Sequence, residues 1–591
     1  MERMTRFRSY VLLGIFGFVL FLYATKLFSL QIIETNGNTN NATTYSTITT
    51  VRAARGDILD RNGNVLVGNR ASYDLVFNHY VIKSADNRNQ YLYDLLKKCE
   101  ELGVSHNDHF PVTATRPFEY TLDSYNASWQ RYYQAFMVDW GLDPDITAPL
   151  LMERMRQRYE LPEEWTDEEA RGVIGLRYEF DLRGVTNLAN YTFIEDVSSE
   201  NLSAILELNT PGLMVESSTV REYHTTYAAH ILGYMGGMDD DDWAKYKDQG
   251  YAMDAYIGQS GFEEAFEEYL HGIDGSRMDV VSKDGAIVEQ YYLEGKEPIA
   301  GNNVETTIDI TLQKIAEDSL AQVMKDLVNP EINTAEGDDT GLDAEGAAVI
   351  VMKVKTGEIL ACASYPTFNL ATMNEDWNDI MEDPLKPFFN RAFGANYAPG
   401  STFKMCTLVS AMENVNSKGK RILDYMETIQ DKGVFTELGE GFNPKCLLYS
   451  SVYATHGTID ATDALKVSCN YFFYELGYRL TWQMMDATAK GFGLGEPTGI
   501  ELTEKIGWRS NPDSKAASYR GPDAVWNAGD RVLTAIGQSE NRYSPLQLCV
   551  YACTLANRGT RYRATFLNRV ASSDYRTLIK QNEPEVVSKM D

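Results

Sequence analysis

From Ser9 to Thr25 the chain carries no charged residue, and Leu, Phe, Val, Ile and Gly dominate. After Lys26 the apolar character resumes through Ile33. About twenty such residues span a bilayer core, and Lys26 near the outer end can extend its amine toward water. Arg3, Arg6 and Arg8 precede the run, which places the N-terminus in the cytoplasm. The expectation is a tail over 1–8, a transmembrane anchor over 9–33, and all later residues outside the membrane. A cleaved signal peptide is the alternative. It would need a small-x-small site after the apolar run, where Tyr23-Ala24-Thr25-Lys26-Leu27 stands instead.

The chain has 591 residues, long enough for several globular domains beyond that run. Its net charge of −30 excludes nucleic acid as a partner, because phosphate binding needs clustered Lys and Arg. The seven cysteines (99, 362, 406, 446, 469, 549 and 553) are scattered, with no Cys-x-x-Cys, so they form no disulfide framework. Cys446 and Cys469 flank His456. A metal site or a local disulfide is conceivable there, but the expected state is buried or free thiols with no metal or other cofactor.

Residues 35–49 read as a polar spacer. Asn62-Gly63 between alternating apolar runs predicts a β-hairpin, with Arg55, Asp57, Asp60 and Arg61 pairing locally to hold it. From Tyr91 to Leu182 the pattern is helical, with amphipathic segments at Ala148–Tyr159 and Asp167–Gly175. His224 and His230 lack a partner motif and read as structural. The acidic run Asp239–Asp242 lacks the spacing of a calcium loop. Gly258-Gln259-Ser260-Gly261-Phe262-Glu263 opens a helix through Leu270, and Asp309 caps another. Gly346–Met352 predicts a buried strand, turned by Lys355-Thr356-Gly357 into a second strand. Residues 535–556 predict a helix.

The chemistry concentrates at Tyr397-Ala398-Pro399-Gly400-Ser401-Thr402-Phe403-Lys404. Pro-Gly stops the preceding chain, and Thr402 to Met412 are good helix formers. Ser401 is thus expected in the first turn of a buried helix, with Lys404 one turn on. A serine is a weak nucleophile without a base beside it. A lysine can be that base when burial depresses its pKa toward neutrality.

Alone, Ser-x-x-Lys is a weak match; several further motifs agree with it. The hairpin at 55–63, the Gly-x-x-Gly-x-Glu helix start at 258–263, and Thr307-Ile308-Asp309 with Leu312-Gln313 resemble the non-catalytic domain of class B penicillin-binding proteins. Asn390-Arg391-Ala392, then Pro399-Gly400-Ser401-Thr402-Phe403-Lys404, resemble that family's first active-site motif. Ser468-Cys469-Asn470 resembles its second, and Gly537-Gln538 with Ser544-Pro545-Leu546-Gln547 the helix region after it.

The resemblance implies a membrane anchor helix, a mixed α+β pedestal of the dimerisation type over 50–300, and an α/β penicillin-binding transpeptidase domain over 301–591, an antiparallel sheet flanked by helices as in serine β-lactamases. It implies a peptidoglycan D,D-transpeptidase of cell wall synthesis in the bacterial cell membrane, single-pass, with its catalytic domain extracytoplasmic. Ser401 would be acylated by D-Ala-D-Ala stem peptides and by β-lactams. Lys404 would be the base, Ser468 a proton relay, and Asn470 a holder of the substrate amide. The implied partners are stem peptides, β-lactams, the membrane and a glycosyltransferase of the wall-synthesis machinery.

One departure stands out. The family's third motif, Lys-Thr/Ser-Gly, does not follow Asn470. Lys355-Thr356-Gly357 precedes Ser401 and is a decoy. The expectation is a chain truncated before that strand. A penicillin-binding scaffold or sensor that acylates without turnover is the alternative, and a lone β-lactamase fits the anchor and pedestal poorly.

Overall fold

The computed structural model describes residues 44–590, apart from 126, 187–189, 252–254, 283–286, 336–339 and 440–441. The expected tail over 1–8 and anchor over 9–33 lie outside the described residues. Among the described residues no helix is long and apolar enough to cross a membrane.

The longest strand, Val65–Phe77, organises the first half of the molecule. Along its length it pairs with Leu213–Tyr223, and near its two ends with Ile58–Leu59 and Tyr191–Ile194, all antiparallel. Asn303–Thr306 then joins Ile58–Leu59 in parallel and Leu567–Ala571 antiparallel, and Leu578–Gln581 closes that edge. A single sheet therefore joins strands from both sides of residue 300. A second sheet pairs Thr44–Val51 with Gly275–Ser282, and that strand with Ile287–Tyr292.

The expected hairpin at 55–63 is present, with Gly63 at φ 85° in its turn and Asp60 accepting from the Asn62 and Asn64 amides. Its charges do not pair locally as expected. Arg55 is buried against Glu263 (2.6 Å) and Glu267 (2.7 Å), and Arg61 reaches Glu358. A buried guanidinium needs carboxylates that are themselves shielded from water. The helices Gly261–Ala265 and Glu267–Leu270 supply them. That predicted single helix is thus two short ones broken at Phe266. Asp239 is no metal ligand but the N-cap of Asp240–Tyr246, in a capping box with Asp242.

Between Phe77 and Tyr191 the chain builds a helical head around one core. Arg88–Leu102, Ala127–Asp139, Ala148–Arg158 and Asp167–Val185 pack through Leu92, Phe136, Met155, Ile174 and Tyr178. Thr166 starts the last helix in a capping box with Glu169.

In the second half, Ala347–Met352 and Ile359–Tyr365 form the expected hairpin, and Lys355-Thr356-Gly357 is its turn. Helix Ile310–Leu327, capped by Asp309, packs on it, as does Pro545–Ala556. Ala347–Met352 is half-buried, not buried as expected. Its one strand partner among the described residues is Ile359–Tyr365, so one edge is open. The helix expected over 535–556 is also shorter. Ala528–Thr534 and Pro545–Ala556 are separate helices, because Gly537 (φ 75°) and Ser539 (φ 58°) turn the backbone left-handed between them.

Candidate active site

Pro399-Gly400 delivers the chain into a tight 3₁₀ turn, Gly400–Phe403, which continues as the α-helix Lys404–Glu413. Gly400 takes φ 54°, and its amide donates to the Gly537 carbonyl at 3.0 Å. A side chain on Gly537 would collide with the Gly400 carbonyl, so the left-handed glycine turn after Thr534 is a template for the serine turn. Phe403 is buried and stacks on Tyr543, anchoring the turn from below. Ser401 is therefore left exposed at the surface, while Lys404 points inward and is 1% exposed.

The second motif arrives from another direction. Asp460 caps helix Ala461–Lys466, and after it Ser468 adopts φ 51° before helix Asn470–Arg479 begins. A left-handed non-glycine residue is costly and persists only where its surroundings impose it. Here it aims both Ser468 and Asn470 at Lys404. Ser468 Oγ donates to Ser401 Oγ at 3.0 Å. Lys404 Nζ donates to Ser468 Oγ (2.9 Å), to the Ser468 carbonyl (2.8 Å) and to Asn470 Oδ1 (2.6 Å). Burial pushes the Lys404 amine down to about 8, against an opposing pull from Cys469 and Cys446. All four residues singled out in the sequence thus meet in one hydrogen-bonded chain. Its order is Ser401, Ser468, Lys404, Asn470, with Ser468 between the Ser401 hydroxyl and the lysine amine.

Cys469, the middle residue of that motif, faces the other way. Its thiol belongs to a cluster with Asp431, Cys446 and His456, whose donor atoms all lie within 4.8 Å of one another. Cys446 Sγ is 3.9 Å from Cys469 Sγ and 3.7 Å from His456 Nδ1. Asp431 Oδ2 is 2.9 Å from His456 Nδ1 and 3.6 Å from Cys469 Sγ. Bonds of about 2.0–2.3 Å to a tetrahedral metal separate its ligands by about 3.3–3.8 Å, close to most of this spacing. Two sulfurs, one imidazole and one carboxylate on buried ground suit zinc. The hydrogen bond between the two thiols pushes Cys446 down and Cys469 up. Beside the expectation of no metal, the structure sets these four donors as a candidate centre. Cys446, His456 and Cys469 were visible as a group in the sequence, but Asp431 was not. Its only local signal is the turn Asp431-Lys432-Gly433, in which its carboxylate accepts from the Gly433 amide.

Two family descriptions match the chain: the penicillin-binding protein dimerisation domain over residues 50–306 and the penicillin-binding protein transpeptidase domain over residues 347–590. The peptidoglycan D,D-transpeptidase MrdA of Acinetobacter baumannii is 28% identical over 357 residues, covering 59% of this chain and 48% of that protein. The chain thus spans about half the length of the curated relatives it matches. Among solved structures, a peptidoglycan synthase complex studied for the coordination of polymerization and crosslinking contains a similar chain (TM-score 0.59, 22% identity, 99% of this chain and 82% of that one). Penicillin-binding protein 2B of Streptococcus pneumoniae strain 5204 is similar too (TM-score 0.60, 21% identity, 92% and 84%). With both domain matches in order along the chain, and the serine–lysine cluster assembled within the second, this protein belongs to the class B penicillin-binding proteins.

Proposed function

We propose that the chain is a peptidoglycan D,D-transpeptidase that cross-links stem peptides through an acyl-enzyme on Ser401. The observation that carries this reading is the Ser401–Ser468–Lys404 hydrogen-bonded chain with a depressed lysine at its end. Ser401 Oγ attacks the carbonyl of the D-Ala-D-Ala bond. Its proton passes to Ser468 Oγ, whose own proton moves to neutral Lys404 Nζ; hydroxyl hydrogens rotate, so the pair can carry a proton in this sense. The tetrahedral intermediate expels D-Ala as the amine, which takes the proton back along the same chain. An ester to Ser401 remains. The amine of a neighbouring stem then attacks the ester, forms the new amide and frees the serine. Asn470 Oδ1 fixes the lysine, which leaves its amide group to face the substrate. β-Lactams enter the same first step and stop at the ester.

The Asp431–Cys446–His456–Cys469 centre serves this site from behind. A metal there would clamp the backbone on which Ser468 and Asn470 sit, supplying rigidity and no chemistry. The residues over 9–33 act as a single membrane anchor, with the catalytic domain extracytoplasmic. A glycosyltransferase partner is supported by the similar chain in a peptidoglycan synthase complex.

The test is reaction of this chain with a fluorescent penicillin, followed by mass spectrometry of the labelled peptide. An adduct on Ser401 that disappears in Ser401→Ala supports the reading. A folded chain that takes no label at any concentration supports a scaffold instead.

A further inference from the structure

The helical head contains a cleft of about 320 Å³, lined in part by Lys83, Trp140, Arg158, Tyr159, Arg177 and Asp181. Among the described residues three arginines are buried: Arg55, Arg171 and Arg177. Arg55 pairs with Glu263 and Glu267, and Arg171 with Asp108. Arg177, 7% exposed, has no carboxylate within ion-pair distance among the described residues. Its Nη1 donates to the neutral Asn89 side chain at 2.6 Å, and its guanidinium lies 4.2 Å above the Tyr159 ring. Asp181, the acid that shares the cleft with it, is already engaged by Lys83 (3.0 Å) and by the Tyr159 hydroxyl (2.9 Å). Burial, and then the charge of Arg88, push the Arg177 guanidinium down from its ordinary value, against a smaller pull upward from Tyr159 and Asp181. A buried cation with no carboxylate at ion-pair distance is costly, and this one lines a cleft.

A second cation stands at the same cleft. Arg158 is exposed, yet it is held in place, with its guanidinium 3.9 Å over the Trp140 ring and Nη1 donating to the Trp140 carbonyl. Lys83, Arg158 and Arg177 against Asp139 and Asp181 leave the lining one positive charge in excess. That balance suits a singly charged anion and opposes a phosphate dianion, which would face two carboxylates.

We propose that this cleft binds a carboxylate side chain of an acidic peptide, received by Arg177 within and Arg158 at the mouth. A guanidinium fork matches a planar carboxylate with two parallel hydrogen bonds. The rings of Trp140 and Tyr159 offer apolar edges to the methylenes that carry it. The inference stands on the head alone and is independent of the chemistry at Ser401.

The test is a titration of the full chain, followed by ligand-observed NMR, with an acetylated and amidated Gly-Glu-Gly peptide, its Gly-Gln-Gly counterpart, and inorganic phosphate. The Glu peptide binds saturably, and the Gln peptide about tenfold or more weakly, the usual range for a lost charge-assisted hydrogen bond. Arg177→Met abolishes binding. Since that buried substitution can disturb the head, Arg158→Gln on an exposed side chain provides the second variant, with about tenfold weaker binding and an unchanged unfolding midpoint. Equal binding of the two peptides, no saturable binding of either, unchanged affinity in Arg158→Gln, or phosphate displacing the Glu peptide at lower concentration than the peptide itself binds would each overturn the proposal.

Discussion

The Ser468 hydroxyl stands 3.0 Å from that of Ser401, and Ser468 holds this position from a left-handed backbone at φ 51°. The Ser401 hydroxyl is thus met by a residue from a different segment, at a conformation that few residues tolerate. Lys404, three residues from Ser401 in the chain, donates to Ser468.

Removing the relay should be felt in the rate and not in the fold. Ser468→Gly keeps the left-handed backbone comfortable and deletes only the hydroxyl. Acylation of Ser401 by a fluorescent penicillin is expected to slow by about 10²–10⁴-fold, the usual worth of a positioned proton-transfer group. The thermal midpoint should stay within a few degrees. An acylation rate within a factor of about two of the parent would remove Ser468 from the proton path.

The proposed role of Lys404 as base fixes an expected pH dependence. Its amine must be neutral to take the proton, and its folded value is pushed down to about 8 by burial. Below that pH the amine is protonated and acylation falls about tenfold per unit; above it the rate levels off. Single-turnover acylation between pH 6 and 10 should give a single rising limb with its midpoint near 8. Lys404→Arg, which stays charged throughout, should lose the limb along with most of the rate. A flat profile in the parent chain would exclude lysine as the base.

The four-donor centre makes a compositional prediction. Protein purified without chelator should carry about one zinc per chain by elemental analysis, falling in Cys446→Ser and in Asp431→Asn. Strong chelators should lower the unfolding midpoint of the parent and leave that of Cys446→Ser unmoved, because a bound metal stabilises only the folded state. Metal content below one tenth per chain after growth in zinc-supplemented medium would exclude the centre.

Arg55→Ala strands Glu263 in the interior. Glu263 has no exposure and also pairs with Arg221 at 2.7 Å, so the loss is not complete neutralisation. Breaking such a buried pair costs about 3–5 kcal/mol, measurable as a reduced denaturant midpoint. Arg55→Ala with Glu263→Gln should recover part of that loss. A cost below about 1 kcal/mol would show that Arg221 alone satisfies the site.

Local signals in the sequence carried much of the fold. Asn62-Gly63 marked a real turn, Asp309 a real cap, and Lys355-Thr356-Gly357 a real hairpin turn. They are legible because a turn or a cap depends on neighbouring residues only. Where local signals misled, distant partners decided the outcome. Arg55 paired across the chain with Glu263 instead of within its hairpin, and residues 535–543 left the helix to lay Gly537 against Gly400.

The sequence by itself determined that a serine and a lysine share one helix start, that a Ser-Cys-Asn comes after them, and that the residues before them resemble a pedestal. Side-chain types and short spacings suffice for that. Only the tertiary structure decided the order of the Ser401–Ser468–Lys404 hydrogen bonds. It did so because Ser468's position depends on a left-handed turn imposed by the packing of its neighbours. It alone brought Asp431 to Cys446, His456 and Cys469, and left Arg177 buried with no carboxylate at ion-pair distance among the described residues. Such groupings join residues far apart in the chain, and their energies depend on burial, which no local pattern encodes.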